Sequence, residues 1–162
     1  MAFDKKSIMD IKLRSAITKA DEEIVRNIIS GTGFFRDEEI IIAVSLVTET
    51  LKDPNSGYLF VFAEEGGDTA GYAVYGAIPG AIGSFELYWI AVKKELQGKG
   101  IGKMLIKAVE DMVRSENGRH LYITTSGMDL YKPTRALYEK LGYETAATLP
   151  DYFVPGDARV IY

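Results

Sequence analysis

Cysteine is absent from this chain of 162 residues, and histidine occurs once, at His120. The missing thiols exclude disulfides, thiolate-bound zinc and a cysteine nucleophile, and a lone histidine cannot build a multi-histidine metal site or a proton relay. No metal is expected. There is also no apolar run of the roughly 20 residues that a membrane helix requires, and the opening "MAFDKKSIMD" lacks the hydrophobic centre of a secretory signal. The expectation is a cytoplasmic chain with no membrane partner. Basic residues are not in excess: 19 Lys and Arg stand against 23 Asp and Glu, a net charge of -4. That sign argues against nucleic acid as a partner, because neutralising phosphates needs a basic face. Whatever chemistry occurs must use carboxylates, hydroxyls, tyrosines, lysines or backbone groups. What the chain does have, 47% hydrophobic and 26% charged residues, suits one globular domain over residues 1–162.

The pattern along the chain predicts alternating elements. "DIKLRSA" alternates like a strand, and "TKADEEIVRNIIS" reads as a helix capped by Thr18 with acidic residues in its first turn. "DEEIIIAVSLVTETLKD" places Ile40, Ile41, Val44, Val47 and Leu51 at helical spacing, giving one buried face. Three strand-like runs follow, "YLFVFAEE", "TAGYAVYGAI" and "SFELYWIAV", joined by the turn residues "GGD" and "PGAIG", which favour an antiparallel meander. A helix over about 100–116 buries Ile101, Leu105, Ala108, Val109 and Met112; "HLYITTS" is a strand, "PTRALYEKLGY" a short helix, and "GYETAAT" and "DARVIY" the last strands. The order β-α-α-β-β-β-α-β-α-β-β, without repeats or linkers, defines the fold class as α/β.

The turn "QGKGIGKM" between strand and helix raises the question of a ligand. It is not a Walker loop, because Met104 stands where a hydroxyl belongs, and Lys103 removes the third glycine of a dinucleotide fingerprint. What remains is Gln97-x-x-Gly100-x-Gly102. Glycines at a helix start let backbone approach a ligand, and the unpaired N–H groups of the first turn bind an anion such as a pyrophosphate. Lys93, Lys94, Lys99, Lys103 and Lys107 face only Glu95 in this stretch, a local charge of +4 in a chain of net -4. An ordinary glycine turn before a solvated, lysine-flanked helix has the same composition.

At this point "IAVKKELQGKGIGKMLIKAVE" resembles the acetyl-CoA motif of the GNAT N-acetyltransferase superfamily, with its Gln/Arg-x-x-Gly-x-Gly/Ala turn. "TRALYEKLGYE" is similar to a second motif of the same family, a short helix carrying a tyrosine, then a glycine and an aromatic residue. The resemblance spans roughly residues 10–162. It implies a single-domain GNAT fold whose mixed, mostly antiparallel sheet splays between the fourth and fifth strands and is flanked by about four helices. It also implies acetyl-CoA as cofactor. The pantetheine arm would lie along Ile90, Ala91 and Val92, with the pyrophosphate on the amides of Gln97, Gly98, Lys99, Gly100, Ile101, Gly102 and Lys103. Tyr131 and Pro133 complete the set, Tyr131 standing where the family often has asparagine.

The same resemblance implies Tyr138 as the proton donor to the departing thiolate, a phenol of pKa about 10 facing a thiol of about 8.5, with the oxyanion met by the N–H near Val92. For the base, Glu86 is a lone carboxylate in an apolar strand, shares a face with Tyr88, and matches a glutamate of the family's histone-modifying branch. Ribosomal-protein alanine acetyltransferases resemble the chain around "LYITTS" but carry their glutamate where Thr124 stands. Phe34, Phe35, Tyr152 and Phe153 would wall the acceptor pocket, with Tyr88 also contacting the acceptor. Arg36, at a helix start, either reads a substrate carboxylate or pairs with Glu39. The implied acceptor is the primary amine of a small molecule or amino acid, some similar chains being labelled D-alanine or amino-acid N-acetyltransferases. Its rivals are a peptide N-terminus and a non-catalytic acyl-CoA sensor. A second copy of the chain is a candidate partner.

Overall fold

The computed structural model describes residues 10–162, so nearly all of the opening "MAFDKKSIMD" lies outside the described residues. The elements run β1 (Ile11–Arg14), α1 (Asp21–Thr32), α2 (Asp37–Lys52), β2 (Leu59–Glu65), β3 (Asp68–Ala77), β4 (Ser84–Val92), α3 (Ile101–Ser115), β5 (His120–Ser126), α4 (Lys132–Lys140), β6 (Ala147–Val154) and β7 (Asp157–Ile161). This is the order read from the sequence. The strands form one seven-stranded sheet, β1-β2-β3-β4-β5-β7-β6, in which β4 and β5 pair in parallel and every other pair is antiparallel. No described helix is long and apolar enough to cross a membrane.

Period-two burial explains the two cores. One face of the meander packs Val61, Ala73 and Leu87 with Leu105, Ile106 and Val109 of α3. The other packs Phe62, Tyr72 and Val74 with Val25, Ile28, Ile29 and Val47 of α1 and α2. Leu105 is wholly buried, so truncating it to alanine is worth about 2–5 kcal/mol by the usual cost of core deletions. Arg14 anchors α1 to the sheet, Nη2 lying 2.8 Å from the wholly buried carboxylate of Asp21 and Nε 2.6 Å from Glu64.

Three local expectations change. Thr18 does not cap α1; its N–H and hydroxyl instead donate to Asp21 at 2.7 and 3.1 Å, so the carboxylate organises the turn. Ile41 is 62% exposed, because a face defined by positions 40, 44, 47 and 51 turns position 41 about 100° away. Residues 143–146 are not strand: the Tyr143 N–H closes α4 on Tyr138 O at 3.0 Å and its hydroxyl donates to Glu110 at 2.9 Å, delaying β6 to Ala147.

In β4 the register passes from Val74 opposite Trp89 to Tyr75 opposite Leu87, leaving Tyr88 as an inserted residue. The bulge places Tyr88 and Trp89 in succession on the α1/α2 side. It re-aims the strand just where its pairing with β5 ends.

Candidate active site

Parallel pairing of β4 with β5 covers Ser84–Leu87 against His120–Ile123, after which β5 turns to β7 and β4 continues alone. The Lys93 N–H donates to Ala70 O at 2.9 Å, and ladder alternation then points the backbone of Ala91 toward β3 and that of Ile90 and Val92 into the gap. A cleft of about 1290 Å³ opens there, larger than the ~300–1,000 Å³ of ordinary small-molecule sites.

The glycine turn forms one end of this cleft. Gly98 and Gly100 have φ of +74° and +89°, the left-handed region in which a β-carbon costs about 1–2 kcal/mol. Gly102 is helical, and a Cβ there would meet Leu137 at an ordinary 3.7 Å. The fold therefore demands the first two glycines by backbone conformation and tolerates a Cβ at the third. None of the N–H groups of residues 98–103 reaches an acceptor among the described residues. They gather at the N-terminus of the 15-residue α3, whose dipole adds to their attraction for an anion. Gln97 turns its side chain back, Nε2 donating to Val92 O at 3.1 Å. The basic field is smaller than the sequence count: Lys93 is tied to Asp68 at 2.7 Å and Lys107 to Glu110 at 3.3 Å, leaving Lys94, Lys99 and Lys103 without an ion pair among the described residues. Lys103 lines the cleft with Gln97, Gly98, Gly100, Ile101 and Gly102; Lys99, also expected there, does not.

Tyr138 comes from α4, which Arg135 fastens to the end of β5 by donating to Ser126 O at 2.7 Å and Met128 O at 2.9 Å. Its ring sits between those of Tyr143 and Tyr162, with centroids at 6.3 and 5.7 Å, and only 3% of the residue is exposed. Burial, reinforced by Tyr162, raises the phenol well above its ordinary pKa, so it holds its proton at neutral pH. Its hydroxyl makes no hydrogen bond among the described residues, and Tyr138 lines the cleft. Pro133 occupies the first turn of α4 and also lines the cleft, as does Tyr131, whose ring meets Phe34 edge-on at 6.1 Å. Burial foremost, then Glu39, raises the Tyr131 phenol too.

Glu86 is not the isolated carboxylate its strand suggested. Arg159 Nη2 lies 3.5 Å from its Oε1, and the Thr124 hydroxyl donates to the same oxygen at 3.3 Å. Burial first, and Glu86 second, raise the Tyr88 phenol beside it. Phe35 packs on Trp89 at 5.3 Å, and both line the cleft with Phe34, Tyr88 and Tyr152. Arg36 also lines the cleft and is paired with Glu39: its N–H donates to that carboxylate at 2.9 Å and its guanidinium lies 3.4 Å from it. Sequence reasoning missed Arg159, Trp89 and Thr124 as site groups. Arg159 carried a signal like that of Glu86, the lone cation in the strand "DARVIY".

Residues 24–143 match the Acetyltransferase (GNAT) family. A GNAT-family protein from Desulfovibrio desulfuricans has a similar structure, with a TM-score of 0.92 and 41% identity over 94% of this chain and 96% of that one. More distant likenesses, of fold alone, include a ribosomal-protein-alanine N-acetyltransferase from Brucella melitensis (TM-score 0.75, 22% identity, 93% and 96% covered). Another is the PaiA N-acetyltransferase from Thermoplasma acidophilum in complex with coenzyme A (TM-score 0.72, 17% identity, 94% and 98% covered). No curated protein matches in sequence.

Proposed function

This chain belongs to the GNAT acetyltransferase family, and from that premise we propose that it transfers the acetyl group of acetyl-CoA to the primary amine of a small molecule or amino acid. The observation that carries the reading is the gap between β4 and β5, which joins the unpaired amides of residues 98–103 to Tyr138 and Glu86 in a single cleft. These residues suit acetyl-CoA: the amides and Lys103 would hold its pyrophosphate, and the outward-facing backbone of Ile90 and Val92 would pair with its amide-bearing arm. Ala91, Tyr131 and Pro133 border that path. When bound, acetyl-CoA supplies an acyl group activated as a thioester.

The chain's own groups supply the rest. An amine attacks only as the free base, so Glu86 takes the ammonium proton directly or through a water. The Val92 N–H offers a hydrogen bond where negative charge develops on oxygen. Tyr138 donates to the departing sulfur. Because burial makes this phenol a weaker acid than a free one, its first service is a hydrogen bond that strengthens as charge builds, with proton transfer completing the step.

Exposed Phe153 and Val154 at the cleft favour a second reading, an elongated acceptor such as a peptide N-terminus. A panel of primary amines, amino acids and short peptides incubated with acetyl-CoA, with thiol release followed, separates the two. Turnover with free amines or amino acids is expected. Turnover with peptides alone would select the second reading, and thiol release no faster than background with every acceptor would overturn both.

A further inference from the structure

We propose that Arg159 reads a free carboxylate, and that the acceptor is an α-amino acid with an apolar side chain, held as a zwitterion between Arg159 and Glu86. This rests on the acetyl-transfer reading above for its reactive end only.

Arg159 and Glu86 stand 73 positions apart in sequence, yet both side chains line the cleft, 26% and 23% exposed. Opposite charges brought together in a part-buried site normally close into a short, forked bridge. Here they do not, because the single contact is 3.5 Å, beyond the usual N–H···O range of about 2.7–3.2 Å. Each partner keeps capacity in reserve. Arg159 spends its hydrogen bonds on neutral groups, Nη1 on the Tyr152 hydroxyl at 2.9 Å and Nη2 on the Thr124 hydroxyl at 3.2 Å, while its buried Nε has no acceptor. The Tyr152 ring lies 5.0 Å from the guanidinium carbon and fixes its plane. On Glu86, Oε1 accepts from Thr124, and Oε2 has no partner among the described residues.

A cation short of anionic acceptors beside an anion short of donors is the complement of a zwitterion. An α-amino acid carries its ammonium and carboxylate on one carbon, which suits two groups already within reach of each other. A polyamine or an amino sugar would present Arg159 with charge of its own sign and no acceptor oxyanion, a built-in rejection. Elsewhere the cleft is lined by Phe35, Tyr88 and Trp89, which favour an apolar side chain, and by the carboxylates of Glu39 and Asp157, each already holding a partner, Arg36 and the Ser126 hydroxyl. Arg36, the other candidate reader of a carboxylate, lines the same cleft but is 72% exposed in its side chain and held by Glu39.

Trp89 is the sole tryptophan, so its fluorescence reports binding without requiring turnover. Leucine and phenylalanine are titrated against leucinamide, phenylalaninamide and isoamylamine, using the unmodified enzyme and Arg159→Gln. In the unmodified enzyme the free amino acids are expected to bind at least about 30-fold more tightly than their amides, and in Arg159→Gln the two are expected to fall within about threefold of each other. Amides that match the acids in the unmodified enzyme, a preference that survives Arg159→Gln, or no binding by any amino acid would each overturn the proposal. The unmodified enzyme alone suffices should the variant fold poorly. Thiol release from acetyl-CoA is measured in parallel: turnover with amides but no carboxylate preference sinks this inference and spares acetyl transfer, whereas amino-acid binding without turnover on any amine does the reverse.

Discussion

The Gln97 side chain donates a hydrogen bond to the carbonyl oxygen of Val92 at 3.1 Å, tying the glycine turn to the last residue of β4. The turn offers amides to an anion and the strand offers extended backbone, so this bond fixes the distance between two contacts for one ligand. Gln97→Ala is expected to weaken acetyl-CoA binding by about 3–10-fold, the scale of one net hydrogen bond, with the melting temperature unchanged. Calorimetric titration measures it, and unchanged affinity would make the bond incidental.

Gly100→Val acts on the same turn for a different reason. Nothing lies within 4 Å of a β-carbon at Gly100, but its φ of +89° is one that branched side chains avoid. The variant is expected to fold, to lose about 1–2 kcal/mol of stability, and to bind acetyl-CoA at least about 100-fold more weakly because side chain and backbone shift together block the amides. A folded variant with wild-type affinity would place the pyrophosphate elsewhere.

Tyr138→Phe keeps the buried ring between Tyr143 and Tyr162 and removes only the hydroxyl. Turnover is expected to fall about 100-fold or more with little change in cofactor affinity. Near-normal kcat would reduce Tyr138 to a packing residue.

Glu86→Gln keeps the size of the side chain and a hydrogen bond with Thr124 while removing the proton acceptor. Its kcat/KM is expected to drop about 10²–10⁴-fold at neutral pH and to recover in part at alkaline pH, as the amine approaches its own pKa of about 10 and arrives as free base. A pH–rate profile checks this. An equal loss at every pH would mean that the carboxylate only orients the acceptor.

Alkaline stability follows from the buried tyrosines. Burial, with Glu116 secondary, raises the Tyr75 phenol from 10 to about 12, and burial also raises Tyr72 well above its ordinary value. A folded-state value above the unfolded one means that stability is fully present below pH 10 and is lost as pH climbs through 12, where the unfolded chain releases protons that the folded chain retains. Thermal melts from pH 8 to 12 are expected to hold level until about pH 10 and then decline. A level melting temperature to pH 12 would show that these phenols reach solvent.

Much of this was readable from the chain because periodicity and turn chemistry are local. The order of elements, the meander and the α3 face of Ile101, Leu105 and Val109 all follow from spacing, and the two motifs brought the glycine turn and Tyr138 to one site. What escaped was non-local or depended on a single residue. Nothing in "SFELYWIAV" announces that Tyr88 is an inserted residue, since a bulge is visible only against the partner strand. The Arg159–Glu86 contact joins strands 73 positions apart, and a strand pattern gives the face of each residue but not its cross-sheet neighbour. Ile41 was set on the wrong side because three consecutive isoleucines, 40 to 42, blur the phase of a helix.

The join between β4 and β5 is only four residue pairs long, Ser84–Leu87 on His120–Ile123, and it lies at one end of the cleft. Past that junction the two walls of the cleft are held at their distance by packing instead of strand pairing: Leu105 and Val109 of α3 share one buried core with Ala73 and Leu87 on one side and with Ile123, Tyr138 and Val160 on the other.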